Sequence, residues 1–385
     1  KALRAHYATF YSSRRGGRSL DADLAYEMDD EELDRAKAQL EGNQALADAA
    51  ALAEAFWGPG TDEATVMSVL RNKTPEQQDA IRAEYKRQYG RDLDADLKSE
   101  LTDPFSSHHD LDRAKALQAN DVAKADAIAI DAAMHGGTGL GTEEEEITRV
   151  YELTRSEVEA LGASKGWTTK EIESEIKKRN EAIDKAYEAK YPNPEARGKG
   201  KSPLIAAMED EMSGSQLDLG KALHEADLSK IDAAKLGVEK ESLWASDETI
   251  NKVLEAQGQR AKREVERDAT IDLNRRAQID DLRGRPWGRE RWTKERGDTK
   301  KFIESETKNR AMQNMAALES QYDSKFGPGG MVNLIVYNMM GEDQQKAVDL
   351  YQQGGILGPE QEIYYACNGV GTDLDKIKDT LKGKS

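Results

Sequence analysis

The sequence predicts an all-α protein built from repeated helical units. Three features alternate in the same order along the chain: aromatic pairs spaced i, i+4, helix ends of similar sequence, and glycine-rich loops. The aromatic pairs are Tyr7/Tyr11, Tyr85/Tyr89, Tyr187/Tyr191 and Tyr322/Phe326. The helix ends lie at 26–29, 99–102, 210–213 and 337–340, and the loops at 58–61, 139–142 and 369–372. Any amphipathic helix can carry one such pair, so it is the shared order that indicates a repeat.

Composition narrows the classes of protein that the chain can belong to. A hydrophobic content of 37% and a charged content of 34% suit thin helical units with broad solvated faces. The net charge of −17 disfavours unaided binding to nucleic acid or anionic lipid, an objection that a bridging divalent cation would remove. The single cysteine, Cys367, excludes an intrachain disulfide. We find no signal peptide and no apolar run long enough to span a membrane. Because the first residue is Lys1 and not a start methionine, we expect the sequence to be a fragment or a processed form.

The most regular pattern follows the first glycine loop. Gly58 and Gly60 bracket a tight turn, since glycine allows backbone conformations that a side chain forbids. Thr61 is predicted to cap the next helix, and Thr74 with Gln77 predicts a capping box at the start of the one after it. These signals place two helix starts close together after the turn.

Two apolar stripes follow these helix starts. Their members are Ile81, Tyr85 and Tyr89, then Leu93, Leu97 and Leu101. Gly90 is predicted to end the first of these helices. Glu100 lies beside the second stripe at the helix end, where its side chain is free to turn outward.

This segment resembles an annexin repeat. The annexin signature is a Gly-x-Gly-Thr loop followed, 39 residues after the threonine, by an acidic residue near the end of a later helix. Here the loop occupies 58–61, and Glu100 lies 39 residues after Thr61. The Tyr-Gly-Arg-Asp-Leu run at 89–93 is also similar to the family. The resemblance implies an all-α array of annexin-like five-helix repeats with helical insertions.

The same resemblance implies a calcium site and a membrane partner. The ligands would be the carbonyl oxygens of Phe56, Gly58 and Gly60 and the carboxylate of Glu100, which suits a cation that takes six to eight oxygen ligands. In annexins the calcium then coordinates a lipid phosphate, so the expected partner is an acidic phospholipid membrane, bound peripherally. Trp57 lies between two of the carbonyl donors and is expected either to contact the membrane interface or to pack inward against the neighbouring helix.

The resemblance divides the chain into five parts. They are a partial repeat lacking its first loop and helix at 1–57, the best preserved repeat at 58–135, a repeat with an insertion at 136–235, a degenerate repeat at 236–368 with a charged insertion at about 258–308, and the start of a further repeat at 369–385. The aligned Glu27 of the first part has no glycine loop before it, so we interpret it as a solvated residue at a helix end.

A second calcium site is implied in the third part. Its ligands would be the carbonyl oxygens of Gly137, Gly139 and Gly141 and the carboxylate of Glu211. Thr142 and Glu211 are 69 residues apart instead of 39, and we assign the excess to a helix at 164–180 and a loop at 192–201.

The degenerate repeat is predicted to bind no calcium. Residues 244–248 replace the glycine loop, and Asn338 stands where the acidic ligand would be. The apolar run 331–340 could form a strand, but its place in the repeat favours a buried helix. In the insertion, basic residues surround Trp287 and Trp292; they could touch phosphate or bases, but a mixed-charge helical hairpin that packs its own tryptophans is favoured.

Two functions stay open at this stage. The first is calcium-dependent binding to acidic phospholipid, and the alternative is a structural or protein-interaction module of a larger protein, with reduced or no calcium binding and the charged insertion available to protein partners. The number of complete calcium sites distinguishes them. No zinc motif, phosphate loop or catalytic constellation is present, so we predict neither an enzyme nor a nucleic-acid partner. The sequence assigns no compartment.

Overall fold

The computed structural model describes residues 2–11, 16–57, 60–102, 109–135, 144–242, 246–368 and 372–382. These residues form 21 helices and no strand, which confirms the predicted all-α class. Within the same residues, no helix combines the length and the apolar character needed to cross a membrane.

The helices are numbered in chain order. The first thirteen are α1 (Ala2–Phe10), α2 (Leu20–Glu27), α3 (Asp30–Glu41), α4 (Gln44–Ala55), α5 (Glu63–Leu70), α6 (Pro75–Tyr89), α7 (Leu93–Glu100), α8 (His109–Gln118), α9 (Val122–His135), α10 (Glu144–Lys165), α11 (Thr169–Lys190), α12 (Pro194–Gly198) and α13 (Pro203–Glu211). The others are α14 (Gly214–Glu225), α15 (Leu228–Glu241), α16 (Asp247–Leu282), α17 (Arg289–Phe326), α18 (Gly330–Asn338), α19 (Gly341–Gln352), α20 (Pro359–Asn368) and α21 (Leu374–Leu381).

The chain forms two compact units. The first consists of Lys1–Glu146 with Ala182–Leu204, and the second of Ile147–Glu181 with Ile205–Ser385. The boundaries of the five predicted repeats stay a prediction.

The core of the first compact unit is built on the apolar stripes that the sequence predicts. Residues of the two stripes are almost completely buried, with Tyr89 only partly so, and α4, α5, α8 and α9 add alanine and leucine side chains. In the second compact unit the main core lies among α15 to α19 and contains the fully buried Tyr322. Apolar burial of this kind is the dominant stabilising contribution to each unit.

The aromatic pairs lie side by side, as the i, i+4 spacing predicts. The distances between ring centroids are 5.7 Å for Tyr7/Tyr11, 5.3 Å for Tyr85/Tyr89, 4.9 Å for Tyr187/Tyr191 and 4.5 Å for Tyr322/Phe326. Two of the tyrosines also donate a hydrogen bond to an aspartate on the following helix: Tyr7 to Asp23 and Tyr85 to Asp96. The pairs therefore join neighbouring helices as well as filling the core.

Several predicted helix ends are confirmed. Thr74 and Gln77 form the capping box of α6, and Gly90 ends that helix with φ +68°. The apolar run after Gly329 is the helix α18 and not a strand.

The predicted helix at 164–180 is wrong in its bounds. Helix α10 ends at Lys165, Gly166 has φ +64°, and α11 begins at Thr169. The backbone N–H of Thr168 donates to the Glu171 carboxylate at 2.7 Å, and the Glu171 N–H donates back to the Thr168 hydroxyl at 3.4 Å. This reciprocal cap, a pattern of threonine and glutamate three residues apart, fixes a helix start inside the predicted helix.

The charged insertion forms the far ends of α16 and α17. The rings of Trp287 and Trp292 pack edge to face with their centroids 5.0 Å apart. This confirms the interpretation of the insertion as a helical hairpin that packs its own tryptophans.

Helices α4, α9 and α15 each place an aspartate in a buried or mostly buried pair with a basic residue. The pairs are Asp48 with Lys73, Asp126 with Arg71, and Asp232 with Arg260. The second pair is bidentate, with N–O distances of 2.6 and 3.0 Å, and its side chains are only 7% and 2% exposed. It ties the end of α5 to α9.

Breaking this buried pair is expected to destabilise the first compact unit strongly. Asp126→Asn removes the negative charge from the buried, bidentate pair with the Arg71 guanidinium, and we expect a loss of about 3–5 kcal/mol. The matched control is Asp79→Asn, which removes the exposed Asp79–Arg82 pair and should cost less than about 1 kcal/mol. Urea unfolding followed by circular dichroism measures both; equal losses in the two variants would contradict this assignment.

Candidate calcium and membrane site

The first glycine loop leaves α4 and returns to it. Phe56 is buried at the end of α4, with its ring 6.3 Å from that of Tyr85. The backbone N–H of Asp62 donates to the carbonyl of Ala55 at 2.9 Å, which closes the loop on the helix that precedes it. Gly60 has φ +113°, a conformation that side chains strongly disfavour. Gly58, one of the predicted carbonyl donors, lies outside the described residues.

The residue that caps α5 is Asp62, so the prediction that Thr61 is the cap is wrong. The Asp62 carboxylate accepts from the backbone N–H of Thr65 at 3.0 Å and from its hydroxyl at 2.7 Å. These hydrogen bonds lower the pKa of Asp62. Thr61 does not cap the helix because its hydroxyl contacts Glu100 instead.

Thr61 joins the loop to the end of α7. Its hydroxyl lies 3.2 Å from a carboxylate oxygen of Glu100 and 3.3 Å from the backbone carbonyl of the same residue. Glu100 is half-buried and stands at the last position of α7. The structure therefore brings together the loop and the distant carboxylate that the sequence pairs with it.

Helix α7 is itself oriented by hydrogen bonds to Asp96. Tyr85 donates to the Asp96 carboxylate at 2.7 Å, and Arg91 pairs with the same carboxylate at 2.7 Å. Burial raises the pKa of Tyr85, so its hydroxyl stays protonated and keeps donating. The stripe of Leu93 and Leu97 is buried, and Glu100, beside it at the helix end, contacts the loop at Thr61.

The donors assembled here are hard oxygens. Among the described residues no group of three or more acidic, histidine or cysteine side chains could hold a metal ion. A cation at this loop would therefore depend on backbone carbonyls, the single Glu100 carboxylate and water, a mixture that suits calcium.

Trp57 points away from the core. Its side chain is 72% exposed, whereas the adjacent Phe56 is 8% exposed. Of the two expectations for Trp57, packing against the neighbouring helix is therefore wrong.

The second predicted site is only partly within the described residues. Gly137, Gly139 and Gly141 fall outside them. Glu211 is exposed at the last position of α13, and the buried Leu204, Met208 and Met212 fix the helix on its other side. The pairing of this glutamate with the glycine loop stays a prediction.

The degenerate repeat keeps a loop-to-helix contact but has no carboxylate at the helix end. Asn338 is exposed at the last position of α18. Ser246 caps α16, and the Asp247 carboxylate accepts a hydrogen bond from the backbone of Met340. The next loop has the same closure as the first, since the N–H of Asp373 donates to the carbonyl of Ala366 at 2.9 Å.

Sequence reasoning missed Asp96 and Arg91, the residues that orient α7. The sequence contained a signal for this pair, because Arg18 and Asp23 are five residues apart, as Arg91 and Asp96 are. Arg18 and Asp23 also form a salt bridge, at 3.2 Å. An Asp-Ala-Asp-Leu run recurs at 21–24 and 94–97. Comparing the two runs directly would have identified the shared carboxylate.

Known proteins are similar to the part of the chain that contains the first glycine loop and Glu100. Residues 47–107 match the annexin family model. Annexin A5 of Gallus gallus is 36% identical over 106 residues, which is 28% of this chain and 30% of the relative. Annexin A13 of Mus musculus is 32% identical over 141 residues, 35% of this chain and 41% of the relative. The matched segments thus span less than half of these relatives.

Solved annexin structures resemble the chain more loosely. Chicken annexin V in complex with Zn²⁺ is 21% identical and covers 88% of this chain and 81% of its own, with a TM-score of 0.25. The calcium-bound alpha-14 giardin is 15% identical and covers 91% of this chain and 88% of its own, also with a TM-score of 0.25. Likenesses with such low TM-scores have no bearing on function. Residues 47–107 are thus annexin-like in sequence, which confirms the predicted resemblance to the annexin family.

The contact between loop and helix end can be tested without any ligand. Thr61→Val keeps the size of the side chain but removes the hydroxyl, so we expect a loss of about 1 kcal/mol in the free energy of unfolding. Thr61→Ser keeps the hydroxyl and should recover most of that loss. Urea unfolding measures both variants, and a serine variant as unstable as the valine variant would show that the hydroxyl contact is unimportant.

Proposed function

We propose that the chain binds calcium at the first glycine loop and, through that calcium, an acidic phospholipid membrane. The observation that carries the proposal is the contact of the Thr61 hydroxyl with the Glu100 carboxylate, which joins the loop to the end of α7. The match of residues 47–107 to the annexin family supports the same function.

The proposed ligands are the carbonyl oxygens of Phe56, Gly58 and Gly60 and the carboxylate of Glu100. Four oxygen positions leave room for water or lipid phosphate, since calcium takes six to eight. The net charge of −17 opposes the approach of the protein to anionic lipid, and a bound divalent cation supplies local attraction at the loop. A weaker second site at Gly137, Gly139, Gly141 and Glu211 belongs to the same proposal. Membrane association would be peripheral, and catalysis forms no part of the proposal.

The alternative function is a structural or protein-interaction module. The exposed amide of Asn338 favours it, because the degenerate repeat has no carboxylate at the position of Glu100. On this alternative the annexin repeats hold the fold while calcium binding is reduced. Calcium binding by the preserved repeat would favour the membrane function, and reduced or absent calcium binding would favour the interaction module.

Glu100→Gln is expected to weaken calcium binding at least about tenfold, because it removes the charged ligand but keeps the shape of the side chain. The matched control is Glu27→Gln, at the corresponding helix end of the first part of the chain, which should leave the affinity unchanged. Equilibrium dialysis against radioactive calcium measures the affinities, and circular dichroism checks the folding.

Glu211→Gln should have a smaller effect than Glu100→Gln, because the insertion before α13 alters the spacing of that site. Unchanged affinity in the Glu100 variant would remove this loop from the proposal. An effect of the Glu211 variant as large as that of the Glu100 variant would reverse the ranking of the two sites.

Trp57 is expected to enter the membrane interface when calcium binds. In a variant that keeps only Trp57, with the other tryptophans changed to phenylalanine, emission should shift to the blue only when anionic liposomes and calcium are both present. A variant that keeps only Trp167, which packs on a core of the second compact unit, is the control and should show no shift.

The outcome separates the roles of the loop and of its tryptophan. If calcium increases the sedimentation of the protein with liposomes but the emission of Trp57 does not move, the membrane function stands without Trp57. If no protein sediments with liposomes at millimolar calcium, the interaction module becomes the better description.

A further inference from the structure

The hairpin of α16 and α17 extends beyond the core of the second compact unit. The buried side chains of α16 end at Leu273, and those of α17 begin at Thr307. Between them the two helices continue side by side, joined by the pair Arg276–Glu295 at 3.2 Å. We call residues 279–296 the hairpin tip.

The hairpin tip is basic in an acidic protein. Residues 279–296 carry six basic and four acidic side chains, a net charge of +2, whereas the whole chain has a net charge of −17. The basic residues are Arg283, Arg285, Arg289, Arg291, Lys294 and Arg296. A local excess of positive charge of this size attracts anionic surfaces.

Three of the arginines at the tip are available to a partner. Arg283, Arg285 and Arg289 are exposed, and within the described part of the chain none of them makes a salt bridge. Arg291 differs, because it pairs with Asp280 at 2.8 Å and lies over the ring of Trp287 at 4.7 Å. The free charges thus lie at the turn and at the first residue of α17.

Apolar side chains accompany these charges. Leu282 is 82% exposed and Ile279, one turn earlier on the same face of α16, is 47% exposed. Trp287 and Trp292 are half-buried against each other, and the Trp287 ring N–H donates to Asp280 at 3.0 Å. Exposed aliphatic side chains beside arginines, with half-buried tryptophans next to them, are the composition of a membrane-interface contact.

The position of the tip reduces repulsion from the rest of the protein. At about 1.5 Å of rise per residue, Leu282 lies roughly 13 Å beyond Leu273. The Debye length at physiological ionic strength is about 8 Å, so the negative charges around the core are largely screened at the tip.

We infer that the hairpin tip is a second, calcium-independent contact for acidic phospholipid membranes, made by Arg283, Arg285 and Arg289 with Leu282. The choice of a membrane rests on the proposed function, but the contact does not use the calcium loop. Nucleic acid fits less well, because the tryptophan rings are engaged with each other and with arginines, and an exposed leucine adds nothing to base stacking. A second copy of this acidic chain is the other anionic partner to be tested.

The test is sedimentation with phosphatidylserine-containing vesicles in the presence of a calcium chelator, at about 0.1 M salt. The intact chain should bind these vesicles but not vesicles of phosphatidylcholine alone, and binding should fall as salt is raised. The triple variant Arg283→Gln, Arg285→Gln, Arg289→Gln should bind at least about tenfold more weakly, because basic side chains near an anionic surface supply the attraction. Leu282→Ser should also weaken binding, without any change of charge.

The matched control removes the same charge from the same two helices beside the core. It is the triple variant Lys262→Gln, Arg263→Gln, Lys308→Gln, whose three side chains are also exposed, and it should bind the vesicles within about twofold of the intact chain. Equal weakening by the tip and control variants would overturn the inference in favour of a net-charge effect.

Three further outcomes would overturn it. The first is that the chain does not bind vesicles in chelator. The second is that the tip binds a single-stranded oligonucleotide more tightly than it binds vesicles. The third is that the chain self-associates through the tip, as measured by light scattering. Calcium-dependent binding through Glu100 can persist in each of these cases, so a failure of the tip is distinguishable from a failure of the proposed function.

Discussion

The hydrogen bond from Tyr85 to Asp96 sets the orientation on which the candidate site depends. It joins α6 to α7 through an oxygen–oxygen distance of 2.7 Å, and Arg91 pairs with the same carboxylate oxygen at 2.7 Å. Because α7 ends at Glu100, its orientation decides whether the glutamate meets the loop at Thr61. The carboxylate of Glu100, a proposed calcium ligand, is therefore positioned by a polar contact, and the apolar stripe of α7 packs in the core.

Two glycine-rich loops of the chain share the same closure. The N–H groups of Asp62 and Asp373 close their loops on the preceding helices in the same way, and both residues then cap the next helix. At Asn338 the helix end is present and the carboxylate is not. Because closure and capping stabilise the fold whether or not a cation binds, calcium binding can be lost from one repeat without loss of the fold. The proposed function and its alternative are thus compatible with the same architecture.

Sequence reasoning recovered the features that follow from local spacing. The stripe that contains Ile81, the cap at Thr74 and the register of Glu100 with the loop depend on residues within one helix or on a fixed separation. It failed where two residues competed for one role, as when Asp62 capped the helix assigned to Thr61, and where a reciprocal cap at Thr168 divided a long helical pattern. The exposure of Trp57 depends on packing between helices, which spacing along the chain does not determine.

The most direct test of the central claim is a calorimetric titration of the intact chain with calcium, performed without and with phosphatidylserine liposomes. The account predicts that calcium binds the free chain weakly and binds more tightly when liposomes are present, because lipid phosphate completes a coordination shell that the loop and Glu100 leave open. Equal affinity in the two titrations, or no binding heat at millimolar calcium, would contradict it.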